Sequence, residues 1–280
     1  MRSSVEIYDL ATRRTRVIFQ TTQLVEAPNW TPDGLHLIVN GDGLLYRLAV
    51  EGADTLEPID TGFAVGCNND HGISPDGRSL VISDKTEYGK SCIYTLPVGG
   101  GVPLQVTAQM PSYWHGWSPD GQTLAYCGIR NDEFDIYTIS VDGEPETRLT
   151  FGEGRNDGPD FSADGQWIYF NSSRTGLMQI WRMHCDGSAL QQLTDDNYGN
   201  WFAHPSPDGE KVVLISYDPD VFDHPRDKQV RIRLMKPDGS DLETLFELFG
   251  GQGSINVPSW SPDGRAFAFV RYFPEQATHA

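Results

Sequence analysis

The sequence contains no long apolar run. Nothing approaches the roughly 20 residues a helix needs to cross a bilayer, and Met1 to Tyr8 has no apolar signal core behind Arg2. A chain with neither feature is expected in the cytoplasm, away from any membrane. Cysteine is scarce. The four residues, Cys67, Cys92, Cys127 and Cys185, show no Cys-x-x-Cys or other zinc-ligand spacing. Reduced thiols in or near strands are therefore expected, rather than a disulfide framework. Positive charge is short as well: 21 Lys and Arg stand against 39 Asp and Glu, a net charge of −18. That excludes a sequence-blind nucleic-acid binder, which needs a basic face, and it argues against anionic membranes. No Gly-x-Ser-x-Gly elbow occurs, so a nucleophilic hydrolase has no local signature.

Gly and Pro, by contrast, are plentiful (29 and 18 of 280 residues), and the stretches between them are short, which favours many turns joining short strands. One turn recurs six times: Thr31-Pro32-Asp33-Gly34, Ser74-Pro75-Asp76-Gly77, Ser118-Pro119-Asp120-Gly121, Ser162-Ala163-Asp164-Gly165, Ser206-Pro207-Asp208-Gly209 and Ser261-Pro262-Asp263-Gly264. Successive Asp residues are 43, 44, 44, 44 and 55 positions apart. A period this regular means a repeat architecture. Each turn precedes an apolar strand, such as Lys211–Ser216. A third strand follows with its own signature, such as Ile136-Tyr137-Thr138-Ile139, and then a weaker fourth, such as Gln191–Thr194. Four strands in about 44 residues is the period of a propeller blade. The last repeat supplies too few strands. Ile7-Tyr8-Asp9-Leu10 matches the third-strand signature and Arg16–Phe19 suits the fourth. The expectation is one all-β domain over residues 1–280. It is a six-bladed propeller of four-stranded antiparallel blades, in which residues 4–19 complete the blade begun by 255–272 and leave no open edge.

This four-strand repeat with Ser-Pro-Asp-Gly turns resembles the propeller of the TolB family, which is related to WD-repeat propellers. The resemblance covers essentially the whole chain and implies the fold. It does not choose a role, because similar propellers serve the Tol–Pal envelope system and also gate prolyl-oligopeptidase-type hydrolases.

In a propeller the first strand of each blade lines the central channel. Residues seven to four places before each repeat Asp therefore form rings at one channel mouth. These windows gather Glu26, Asn69, Asp70, His71, Tyr113, Trp114, His115, Asp157, Asp160, Trp201, Phe202, His204 and Asn256. Loops on the same face add Arg174 from the fourth blade and Gln252 before the sixth. They also add an insertion of about 11 residues in the fifth blade, Asp218 to Lys228, which carries His224. Trp30, Trp117 and Trp260 share a strand-end position and are expected to pack between blades.

Two readings of this mouth follow. In the first it binds a small molecule, glycan or peptide without catalysis. Aromatic faces come from Tyr113, Trp114 and Trp201. Hydrogen bonds come from Asn69, Asp70, Asp157, Arg174, His224, Gln252 and Asn256. In the second, His71, His115 and His204 hold a divalent transition metal (Mn, Zn or Fe). The mouth then resembles that of the oligogalacturonate lyases, a related propeller family, and implies a lyase or hydrolase acting on acidic sugars. Asp70 or Asp157 would serve as acid or base. A third alternative is a protein-interaction platform that uses the outer faces.

Overall fold

A computed structural model describes residues 2–274. Six blades surround a channel. Blade 1 consists of Glu26–Trp30, His36–Gly41, Leu44–Ala49 and Glu57–Pro58, hydrogen-bonded in that order from the channel outwards. Blade 2 repeats the order with Cys67–Ile73, Ser79–Asp84, Cys92–Pro97 and Leu104–Gln105, and blade 3 with Ser112–Trp117, Thr123–Arg130, Glu133–Ser140 and Gly143–Arg148. Blade 4 is Asn156–Phe161, Trp167–Ser172, Gln179–His184 and Gln191–Gln192. Blade 5 is Gly199–Pro205, Val212–Tyr217, Lys228–Met235 and Glu243–Gly250. Every pairing is antiparallel.

Blade 6 joins the two ends of the chain. Ala266–Phe273 pairs with Arg2–Asp9 in an unbroken register from Arg2–Phe273 to Asp9–Ala266, and Arg2–Asp9 pairs in turn with Arg14–Thr21. Its innermost strand differs from the expected four-stranded pattern, being reduced to one bridge between Trp260 and Phe267. The preceding segment carries Pro258 and a short 3₁₀ helix, Gln252–Ser254, which cannot extend the ladder.

The apolar second strands explain the packing. Neighbouring residues on a strand point to opposite faces, and both faces of a blade are covered by other blades. Val212 and Leu214 enter the cluster between blades 4 and 5, whereas Val213 and Ile215 enter the cluster between blades 5 and 6. Leu37 and Val39 likewise face blade 6 while Ile38 faces blade 2. Six such clusters occupy the six interfaces between blades, including the closing one, which contains Val5, Ile7, Ala268 and Val270. All four cysteines are free thiols in these strands or just beyond their ends.

The recurring turn is a hydrogen-bond device. In each copy the Ser or Thr hydroxyl donates to the Asp Oδ1 at 2.5 to 2.7 Å. The same oxygen accepts the amide two residues on, and the hydroxyl oxygen accepts the amide that opens the next strand, as for Thr123 at 2.9 Å. The Gly sits at φ between 68° and 75°, which an L side chain rarely adopts. Pro at the second position is not needed for any of these bonds, which is why Ala163 can replace it.

The turns form one mouth of the channel, a cavity of about 340 Å³ rimmed by Pro32, Pro75, Pro119, Pro207 and Pro262. Trp30, Trp117 and Trp260 pack on interblade clusters as expected, and each also lines this mouth.

Candidate functional site

The opposite mouth is not symmetric. Each of the five complete inner strands bulges at the same place, where its pairing register slips. A bulge re-aims side chains locally. Ala27, Gly158 and Phe202, six places before their repeat Asp, take up the strain at φ of 55°, 60° and 52°. The bulge of blade 3 leaves His115 unpaired between Trp114 and Gly116, and that of blade 4 begins just after Asp157. Blade 3 presents Tyr113 and His115, and blade 4 presents Arg155 and Asp157, to one cavity of about 380 Å³. Asn68, Asn69 and Asp70 close it from blade 2, and Phe202 from blade 5. The insertion supplies Asp223 and His224, and Gln252 comes from the 3₁₀ helix.

Asp157 is the electrostatic centre. Its carboxylate lies 3.4 Å from His115 Nε2, 3.1 Å from the Arg155 guanidinium and 3.8 Å from His224 Nε2. Burial alone would raise its pKa. The close approach of His115 and His224, with the charges of His115 and Arg155, outweighs burial and holds it well below the ordinary value. His115 shows the reciprocal effect. Burial opposes its protonation, but the hydrogen bond to Asp157 and the charges of Asp70 and Asp157 raise its pKa overall. Asp70 goes the other way. Its burial raises the pKa, and the opposing charge of His115 and hydrogen bonds from Asn256 (2.6 Å) and Asn68 (2.5 Å) do not cancel that. Arg155 is clamped between Asp157 and Asp223, the latter at 2.9 Å, and lies over the Phe134 ring.

Eight of the residues expected at this mouth line the cavity: Asn69, Asp70, Tyr113, His115, Asp157, Phe202, His224 and Gln252. The others do not. Trp114 is buried between blades 2 and 3, and its ring fills the space beside Gly72, where a Cβ would lie 2.0 Å from the Trp114 Cη2. Asn256 lies beneath the floor and positions Asp70. Arg174 turns away to Ser172, Asn156 and Glu153, and stacks over Trp181. Trp201 lines a neighbouring cleft.

The metal triad is also not assembled. His71 is fully buried against the Ile38 carbonyl, 3.2 Å from Nε2, and burial pushes its pKa down to about 4. His204 bridges blades by contacting Asp160 at 2.9 Å and the Ile255 carbonyl at 3.2 Å. Only His115 reaches the cavity. Among the described residues no three His, Cys, Asp or Glu side chains are grouped so as to hold a metal ion. His71 and His115 share a repeat position, which suggests convergence, but their side chains enter different surroundings.

Arg155 and Asp223 were missed by the sequence reading. Arg155 could have been found from its place two residues before Asp157, just ahead of the strand that begins at Asn156. Asp223 adjoins His224, but only the folded insertion brings it to Arg155. Among the described residues no helix is long and apolar enough to cross a membrane.

Comparison with known proteins fits this architecture. A family model described as the TolB beta propeller domain matches residues 114–272. A solved structure of a candidate TolB from Agrobacterium tumefaciens is 64% identical, with a TM-score of 0.96 over 98% of this chain and 99% of that one. The Tol-Pal system protein TolB of Francisella tularensis is 25% identical over 88% of this chain. This chain spans 56% of that protein's length, about half. An oligogalacturonate lyase solved in complex with manganese is 13% identical, with a TM-score of 0.59 over 98% of this chain and 91% of its own, a likeness of fold alone.

Proposed function

This chain belongs to the TolB beta propeller family, and from that premise we propose that it is a binding module whose polar mouth takes a small, neutral, hydroxyl-rich ligand such as a sugar. The observation that carries this reading is the charge balance of the cavity. Arg155 pairs with both Asp157 and Asp223, and His115 lies against Asp157, so these charged groups are engaged with one another inside the protein. A ligand there gains from hydrogen bonds and ring faces rather than from net charge. Tyr113, Asn68, Asn69 and Gln252 supply hydrogen-bonding groups, Phe134 and Phe202 supply apolar faces, and the volume of about 380 Å³ suits a small ligand. The candidate acids and bases are held by protein partners, Asp157 by His115 and Arg155, and Asp70 by Asn68 and Asn256. The reading is therefore of binding.

A thermal-shift and calorimetric screen tests it with neutral glycosides and polyols, uronic acids and short peptides. Neutral glycosides are expected to bind the wild type and to lose binding in Tyr113→Phe and His115→Gln. Binding should persist in Trp30→Ala, on the opposite mouth. Binding of uronic acids or peptides alone, or glycoside binding indifferent to His115→Gln, would overturn the reading.

A further inference from the structure

The insertion that breaks the 44-residue period does more than deliver Asp223 and His224. Its other side walls a second cavity, of about 430 Å³, against blade 4. The second cavity is the more apolar of the two: Leu177, Trp201, Val221 and Phe222 line it beside the charged Asp218 and Asp220. The two cavities share Arg155 and Asp223, whose 2.9 Å ion pair stands between them. Trp201 and His224 meet edge to face at the same partition, with ring centroids 4.4 Å apart. The ring of Phe222 is 90% exposed, the highest value among the exposed large apolar side chains of the described residues, and Leu177 is 39% exposed. Water is an unfavourable neighbour for both.

The wall is held in place. Asp218 pairs with Arg231 at 2.6 Å, the Val221 amide bonds the Asp218 carbonyl, and Tyr217 Oη donates to the Pro225 carbonyl at 3.2 Å. Gly251, at φ 142°, packs against Pro225 and Arg226 so closely that a Cβ would meet the Pro225 carbonyl at 2.4 Å. A pinned loop bearing exposed apolar groups beside a polar cavity is a preformed surface, not a strand connection of minimal length.

We infer that the second cavity is a subsite for an apolar substituent on the ligand whose hydroxylated head lies in the first, so that the ligand class is a glycoside bearing an aryl or alkyl group. This rests on the reading of the polar mouth as a sugar-binding site. Burial of the substituent against Leu177, Trp201 and Phe222 supplies affinity that the head alone does not. Leu177 and Phe222 are the positions that set the preference, because Trp201 and Val221 also serve the core between blades 5 and 6.

The test uses matched methyl and phenyl glycosides of glucose, galactose and mannose, titrated calorimetrically into the full chain. For at least one sugar the phenyl glycoside is expected to bind about tenfold or more tightly than the methyl glycoside. The Leu177→Asp/Phe222→Ser variant, altered only at exposed positions, should lose that advantage and keep the wild-type affinity for the methyl glycoside. Equal affinity of the two glycosides, with both lost in His115→Gln, would overturn the subsite and leave the polar site standing. Phenyl binding that survives His115→Gln but fails in Leu177→Asp/Phe222→Ser would overturn the polar site. It would also overturn the two-part ligand. No binding of any glycoside would overturn both.

Discussion

The two mouths of the channel are made from the same six repeats but by different residues. At the turn-side mouth every blade contributes the same device: a hydroxyl donating to an Asp, one amide donating to that Asp and another to the hydroxyl oxygen, and a Gly with positive φ. The result is a ring of like parts. At the polar mouth, residues of one repeat position do different work. His71 and His115 both lie five places before their Asp. Yet His71 is sealed against a carbonyl with its pKa pushed down to about 4, while His115 lies against Asp157 with its pKa raised. Repetition thus fixes backbone and turn chemistry. Individuality enters only where the bulges and inserted loops release side chains from the ladder.

The comparison can be broken at its strongest point. Asp157→Ala removes the carboxylate that faces His115, Arg155 and His224. Arg155 and His224 keep Asp223, but buried His115 loses its carboxylate, which is expected to cost about 3 kcal/mol. Urea unfolding measures it, and a loss under about 1 kcal/mol would mean that the polar mouth is not an interdependent network.

The paired histidines should give opposite pH dependences. The folded pKa of His71 is lowered, so the unfolded chain takes up a proton first as pH falls. Stability from His71 is complete above about 6.5 and is lost as pH drops toward 4, a change of roughly 3 kcal/mol. The folded pKa of His115 is raised, so its contribution is complete below about 6.5 and is lost as pH rises through the folded value. Urea midpoints between pH 4 and 9 should therefore lose their acid-side decline in His71→Gln. In His115→Gln they should lose the alkaline-side decline. The same slope change in both variants would erase the distinction between them.

The turns should respond alike to equal insults. Ser118→Ala removes a hydroxyl that bonds Asp120 and the Thr123 amide, and is expected to cost about 1 kcal/mol. Ser74→Ala and Ser206→Ala should match it to within about 0.5 kcal/mol, as read by denaturant unfolding. A wide spread would show that the turn ring is less uniform than its geometry. The smallest effect is expected where the repeat departs from itself. Ala163→Pro restores the residue found in the other five turns and should stabilise by about 0.4–1 kcal/mol, seen as a raised Tm. A lowered Tm would mean that this turn holds a backbone shape of its own.

Much of the site was legible before folding, and the residues that were not share a cause. His115, Asp157, His224 and Gln252 were reachable because spacing from the repeat Asp, or membership of the insertion, places them at the polar mouth. Trp114 and Trp201 sit on the same inner strands but point elsewhere. At a bulge one residue more or less reverses which face a side chain occupies, and sequence spacing does not register that reversal. His71 was misread for the same reason, since the position it shares with His115 in the repeat is not a shared direction in space, and His204 lies one place further along.

The sequence by itself determined the propeller: six turns at a near-constant period, apolar second strands, and N-terminal strands matching those the last repeat lacks. Local turn chemistry and strand alternation act over a few residues, and a repeat writes them out six times. Only the tertiary structure decided which polar residues meet. The contacts of Arg155 with Asp223 and of Asn256 with Asp70 join segments 68 and 186 residues apart in the chain. Whether such residues touch depends on bulges and on the course of a single insertion, which are set by the packing of whole blades and not by the neighbours of any one residue.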